Sequence, residues 1–381
     1  MSFQEMFGLY SETSRITDFG AICEIFTGSE GGSAIVSIRP TPGGCARHAV
    51  VTINPSAAKK VASIASERRR WGSYEDDPEG YEYDARMAFL DAVPEMTSGL
   101  MFAKTADATV IEVRGLPIDE DSPKTPSDGA VTEADVRSYI FNLVGSLAGS
   151  LSLRGFAYAS ENNGRLLRAV APVRRLAAQA SSQGFADDLG WHQDNANRFI
   201  PGLSEPKEQI RGPMNDYQAF VCVHAEDDVP MDVAALDDIV AEIGRRHGSV
   251  LVDILHRPEF GICRPASHGG GLDVEGVPLL ARDRSGRLHG RFHASNVIGL
   301  TPEAQSAYER FKEILRASRS GLEIAGEKGA LLLYANTRVM HRRRSFRPRF
   351  DEQDRYYIRL YLMNADALSG WNSLINDRVF L

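Results

Sequence analysis

Nine histidines are spread over the 381 residues, and one of them, His192, has a partner at metal-ligand spacing in the triplet His192-Gln193-Asp194. On a strand, positions i and i+2 project from one face, so this imidazole and carboxylate can aim at a single point. Such a pair supplies two of the three ligands of a 2-His-1-carboxylate iron(II) centre. The third is an imidazole from a distant strand, and the remaining positions stay open for a 2-oxo acid and dioxygen. The triplet alone also fits a plainer reading, with Asp194 as a turn or cap residue beside Asn195 and Asn197.

The C-terminal third bears on the choice. An apolar strand at 331–334 leads through Asn336 and Arg338 to His341, and fourteen residues later Arg355 opens a second strand. This Asn-x-Arg-x-x-His…Asp-Arg pattern, with an HxD upstream, resembles the clavaminate synthase-like branch of the taurine dioxygenase superfamily, mainly over residues 185–365. The resemblance implies a double-stranded β-helix (a jelly roll, cupin-like) in which His192, Asp194 and His341 hold iron(II). It implies that Arg355 grips the distal carboxylate of 2-oxoglutarate, a bidentate task suited to a planar guanidinium. It also implies that Arg359, evenly spaced from Arg355 and so on the same face, contacts the substrate carboxylate.

The activity so implied is hydroxylation of a small molecule, a free amino acid or a close derivative, with dioxygen and 2-oxoglutarate consumed and succinate and carbon dioxide released. The loop 291–296 falls where arginine hydroxylases of the branch present acids. Here it offers His293, Ser295 and Asn296, which favours a neutral polar substrate side chain. A Ser or Thr for 2-oxoglutarate is expected after the strand following HxD, yet 225–233 contains neither. Asp194 fills the place that halogenases of this kind leave to chloride. Desaturation, epoxidation or a carrier-tethered substrate are the alternatives within this chemistry. A zinc hydrolase with the same three ligands and a non-catalytic cupin-like binding protein are the alternatives outside it.

The elements that must position these residues change in texture along the chain. Helical periodicity marks 55–71 and about 85–93. Residues 117–130, dense in Pro, Asp, Ser and Gly, read as a linker. Thr132 then opens a helix with an N-cap, an acidic first turn and the stripe Val136, Ile140, Leu143, Val144, Leu147. Short strands follow from about 165, at 217–224, 329–334 and 356–362, interrupted by helices at 232–246 and 301–317. The expectation is a mainly β protein with flanking α: one oxygenase domain over 1–381, with 1–150 a mostly helical flank and 151–381 a jelly-roll core with insertions.

Composition excludes other classes. With 43% apolar and 25% charged residues and a net charge of −8, the chain does not look like a nucleic-acid binder. The five arginines between His341 and Arg349 read as a solvated loop near an anionic cofactor, and Arg68 to Arg70 as an exposed helix end. Four scattered cysteines without a CxxC suit a reducing cytoplasm. Residues 1–15 carry no secretory pattern, and no apolar run is long enough for a bilayer. The expected partner is a small molecule, with no membrane or nucleic acid; homo-oligomerisation stays open. His268 reads as a lid or turn, Trp191 as core, and His224, His247 and His256 as structural.

Overall fold

Three antiparallel strands, Leu331–Ala335, Tyr217–His224 and Tyr356–Asn364, lie side by side at the middle of the largest sheet of the computed structural model. It describes residues 23–27, 34–68, 70, 72–119, 122–201, 203, 212–226, 229–264, 271–365, 374–376 and 378–380, and among them this sheet has eleven strands. The chain is mainly β with helices packed on it. Alternation sorts the side chains of the central strands. Ala219, Val221, Val223, Ile358, Leu360 and Leu362 pack with helix Tyr139–Ser150, through Ile140, Leu143, Val144 and Leu147. Gln218, Phe220, Tyr357, Arg359 and Tyr361 therefore face the other way. That side is where the chemistry gathers.

A second sheet runs in the order Leu322–Ile324, Met231–Ala235, Val339–Arg343, Leu189–His192. Its first interior strand corrects the expected helix at 232–246. The apolar positions Val233, Leu236, Ile239 and Ile243 do continue one helical period, but residues 231–235 pair on both sides and the helix is Leu236–His247. Backbone pairing with two neighbours overrides local helical pattern here.

The first 150 residues, expected as a mostly helical flank, carry strands as well as helices. Helices Pro55–Arg68, Pro78–Ala92 and Pro94–Thr105 each start with proline, whose fixed φ suits a first turn. Before and after them, strands Ala34–Pro40, Arg47–Ile53 and Val110–Arg114 extend the main sheet at one edge. Ala34, Val36 and Ile38 alternate inward into the same core as the helices.

Thr132 forms its capping box with Asp135, as the spacing predicts. The helix nevertheless stops at Val136 and restarts at Tyr139. Ser138 is extended there, and the Asp119 carboxylate accepts from the Ile140 N–H at 3.1 Å. Nor is 117–130 a linker between bodies. Thr125 donates to the carbonyls of Glu352 and Asp354, and the Pro123 carbonyl lies 2.7 Å from His224 Nε2. This segment is a strap across the entry to strand Tyr356–Asn364. The reading placed on His268 lies outside the described residues.

Candidate active site

His192 ends strand Leu189–His192 and His341 is the middle residue of Val339–Arg343. Antiparallel register sets the two directly opposite, with ring centroids 4.0 Å apart. Asp194 is not delivered by strand alternation. The strand ends at His192, and the chain turns through Asn195, which takes a positive φ of 61°.

What aims the carboxylate is Asn336, fully buried in the turn before strand Val339–Arg343. Its Oδ1 accepts from the Asp194 N–H at 3.0 Å. Its Nδ2 donates to the Asp194 carbonyl at 2.9 Å and to Asn215 Oδ1 at 3.1 Å. Gln193 ties the same turn to the 291–293 loop, donating to the Asn336 carbonyl at 2.8 Å and accepting from the Phe292 N–H at 3.0 Å. The asparagine of the sequence pattern is thus a strap that holds two distant segments in one geometry.

His192, Asp194 and His341 each present one ligand atom, all within 4.8 Å of one another. His192 Nδ1 sits 2.8 Å from the Gly190 carbonyl, so that nitrogen carries the proton and the Nε2 lone pair faces the cluster. Asp194 Oδ1 lies 3.3 Å from His192 Nε2 and 3.8 Å from His341 Nε2. The other oxygen, Oδ2, accepts from Gln218 Nε2 at 2.8 Å, Arg359 Nη1 at 3.0 Å and the Tyr361 hydroxyl at 3.4 Å.

Burial alone would raise the Asp194 carboxyl. The His192 hydrogen bond and the Arg359 and His341 charges outweigh it and hold the group well below the usual carboxylate range. Burial and the nearby His192 charge push His341 far below an ordinary histidine. An ionised Asp194 and a neutral His341 imidazole are protonation states a metal needs. Two imidazoles and one carboxylate fit iron(II) with open positions.

The cluster forms part of the wall of a cavity of about 820 Å³. Arg355 also lines it, buried, with its guanidinium 4.4 Å from the Tyr357 ring centroid and no carboxylate at ion-pair distance among the described residues. Its Nε has no hydrogen-bond partner. Arg359 lines the cavity with its guanidinium divided between Asp194 and Glu161 (Nη2 to Oε2, 3.2 Å).

His293 lies on the wall beside His192, with ring centroids 5.4 Å apart, and burial pushes it down to about 3. Asn296 lines the cavity as well. Ser295 does not: it is exposed, and its N–H and hydroxyl lie 3.3 and 3.2 Å from His293 Nδ1. It orients that ring instead, making Nδ1 the acceptor and leaving the proton on Nε2. The three-residue reading of this loop is corrected to two cavity residues and one support.

Sequence reasoning missed several cavity groups. Gln218 and Tyr361 carried no signal beyond lying on strands. Glu161, whose Oε2 also accepts from Arg168 at 3.4 Å and Tyr361 at 3.1 Å, carried none at all. Arg343 had one, its i+2 spacing from His341. It lines the cavity, lowered to about 10 by burial and by the charge of Arg355. Its neighbours in the arginine run are paired with acids: Arg342, which also lines the cavity, and Arg344 both bind Asp232, and Arg349 binds Glu226 and Asp351. No hydroxyl occurs at 225–233; the hydroxyl side chains lining the cavity are Ser160, Ser181, Ser182 and Tyr361.

No family model matches the chain. Its architecture is that of solved non-haem iron oxygenases. Asparagine oxygenase in complex with Fe(II), 3-hydroxyasparagine and succinate superposes with a TM-score of 0.72 at 22% identity, covering 87% of this chain and 98% of that one. The non-haem iron oxygenase OrfP with Fe, succinate and (3S)-hydroxy-L-Arg gives 0.71 at 19% identity, covering 87% and 99%. The fold is that of these oxygenases, and the described residues add a His-Asp-His set able to hold a metal ion.

Two curated relatives are similar over most of the chain. The chain is 24% identical to an enduracididine beta-hydroxylase of Streptomyces hygroscopicus over 330 residues, 79% of this chain and 90% of the relative. It is also 24% identical to an L-ornithine/L-arginine 3-hydroxylase of Catenulispora acidiphila over 359 residues, 86% of this chain and 96% of the relative. The likeness to the clavaminate synthase-like branch thus extends well beyond residues 185–365, over most of the chain. No helix among the described residues is long and apolar enough to cross a membrane.

Proposed function

We propose that this protein hydroxylates an unactivated C–H bond of a free L-amino acid or close derivative, consuming 2-oxoglutarate and dioxygen and releasing succinate and carbon dioxide. The observation that carries the reading is the convergence of His192, Asp194 and His341 on the wall of a cavity that also holds Arg355, buried and without an acidic partner among the described residues. An unpaired buried guanidinium is costly unless an anion completes it. A hydrolytic metal site has no use for such a clamp. The whole chain is then one oxygenase domain, and its two sheets facing each other across Asp194 form a double-stranded β-helix.

Iron(II), when bound by the triad, supplies the activation of dioxygen. The protein supplies the rest. Arg355 binds the distal carboxylate of 2-oxoglutarate. Gln218 and Arg359 keep Asp194 Oδ2 occupied, so that Oδ1 is the oxygen offered to the metal. The Glu161–Arg359 pair opens to receive a zwitterion, with Glu161 taking the ammonium and Arg359 Nη2 the carboxylate, each charge exchanging one partner for another. The walls built by Phe220, Met231, Leu189 and Ile262 exclude water around the reacting carbon.

The test is succinate release by the full chain, loaded anaerobically with iron(II), against a panel of free amino acids, with product mass read for a gain of one oxygen. Substrate-stimulated succinate release, lost in His192→Ala, Asp194→Ala and His341→Ala, is the expected result. Full activity in Asp194→Ala would refute the ligand assignment, and amide or ester hydrolysis with zinc in place of succinate release would refute the class.

A further inference from the structure

The charge on the cavity wall bears on which amino acid it accepts, a step that rests on the oxygenase reading above. Eight arginines line the cavity against two carboxylates, Asp194 and Glu161, in a chain whose net charge is −8. Like charges gathered in a cleft focus the field there and select the ligand that enters.

Both acids are engaged. Asp194 belongs to the triad, and its Oδ2 accepts from Gln218 and Arg359. Glu161 Oε2 takes Arg168, Arg359 and Tyr361, which leaves this residue at most one ammonium group to bind. The next carboxylate, Asp273, has a buried side chain, and its two oxygens are held by Arg264 Nε and Asn197 Nδ2, each at 2.7 Å. A cationic side chain would enter with no uncommitted carboxylate among the described residues to receive it. It would also lie against Arg264.

Donors dominate the same end of the cavity. Arg264 meets Asp273 through Nε and Nη2, so its Nη1 is outside that pair. His293 presents its Nε2 proton, because Ser295 fixes Nδ1 as acceptor, and the Asn296 amide stands beside it. We infer that the substrate is an amino acid with an anionic side chain, a carboxylate in the simplest case, seated against Arg264 with His293 and Asn296 donating to it. The cationic substrates named for the two curated relatives do not suit this wall, and the neutral side chain suggested by the loop sequence brings no anion to the Arg264 Nη1 that lies outside the Asp273 pair.

The experiment compares L-aspartate and L-glutamate with L-asparagine, L-glutamine, L-arginine and L-ornithine, using the iron-loaded full chain and 2-oxoglutarate and reading succinate and product mass. An acidic amino acid is expected to exceed its own amide by about tenfold or more in kcat/KM, because a donor-lined site left unfilled rejects the wrong ligand. Arg264→Gln is expected to raise the KM of that substrate about tenfold with a much smaller change in kcat. By releasing Asp273 it should also gain turnover of ornithine, and Arg264→Lys should restore the low KM. Preference for an amide or a basic amino acid, or an unchanged KM in Arg264→Gln, overturns the inference and leaves the oxygenase reading standing. Succinate release stimulated by no amino acid of any class overturns both.

Discussion

Gln218 shows how a neutral side chain can set the properties of a metal site. Its amide donates to Asp194 Oδ2 from the central strand of the large sheet, while the carboxylate belongs to a turn beyond the small sheet. Without it, Asp194 keeps its charge but loses the bond that fixes which oxygen faces the histidines. Outer partners of metal ligands are worth about 10–100-fold in metal affinity. Gln218→Ala is therefore expected to weaken iron(II) binding by about that factor while folding normally, as read by anaerobic calorimetry beside a thermal melt; an unchanged affinity would discard the orienting role. Arg355 makes a different kind of contribution. In the proposed role it meets the co-substrate and none of the triad ligands, so Arg355→Ala is expected to raise the KM for 2-oxoglutarate by about 100-fold, in line with the loss of a bidentate charged pair of roughly 3 kcal/mol. Iron content should stay at the wild-type level. Loss of iron together with co-substrate binding would mean that the residue is structural.

At the scale of elements, the site is an agreement between two sheets, and Asn336 enforces it. Its side chain holds the backbone of Asp194 and the side chain of Asn215, and no smaller residue reaches both. Asn336→Ala leaves a buried Asp194 N–H and carbonyl without their partners. A loss of about 3 kcal/mol in unfolding free energy is expected, together with weaker iron binding, and urea denaturation of the iron-free chain measures the first independently of the second. The same residue marks how far the sequence could be read. The triplet at His192, the run to His341 and the apolar strands at 217–224 and 356–362 were legible, because residue type and short-range spacing carry them. The cause of convergence was not. Strand alternation was the reason available for pairing His192 with Asp194, whereas the chain turns between them and a contact 142 residues away does the aiming. The strand Met231–Ala235 was hidden for a related reason, since only its partners distinguish it from the helix that follows. Strands Ala34–Pro40 and Arg47–Ile53 do alternate, but their place in the main sheet depends on Val110–Arg114, beyond three helices. Glu161 had no signal because its role exists only through Arg168, Arg359 and Tyr361.

For the molecule as a whole, the balance of buried titrating groups predicts how the iron-free protein meets acid. Four imidazoles, His224, His289, His293 and His341, are all lowered by burial, His293 to about 3. Two buried carboxyls, Glu75 and Asp216, are raised by burial and act in the opposite direction. A histidine with a depressed folded value stays neutral in the native state while the unfolded chain takes up a proton. Stability is therefore intact above the ordinary histidine value of 6.5 and drains as pH falls below it, by at most about 1.4 kcal/mol per pH unit for each such group. The raised carboxyls protonate first in the folded state and recover part of this loss, but only on approaching the ordinary carboxylate range. The expected outcome is a melting temperature that is flat from pH 8 to about 7 and then falls steadily towards pH 5. His293→Asn, which removes the imidazole that burial holds down at about 3 and leaves the three triad residues in place, should make that fall shallower. Iron(II) should act in the same sense, since a metal that binds only neutral imidazoles in the native state stabilises it by mass action and holds His341 unprotonated. Melting curves of the iron-free chain, the iron-loaded chain and His293→Asn between pH 5 and 8 read all three effects. A melting temperature independent of pH over that range would mean that these imidazoles are not held neutral by burial, and that the cavity around the triad is wetter than its walls imply.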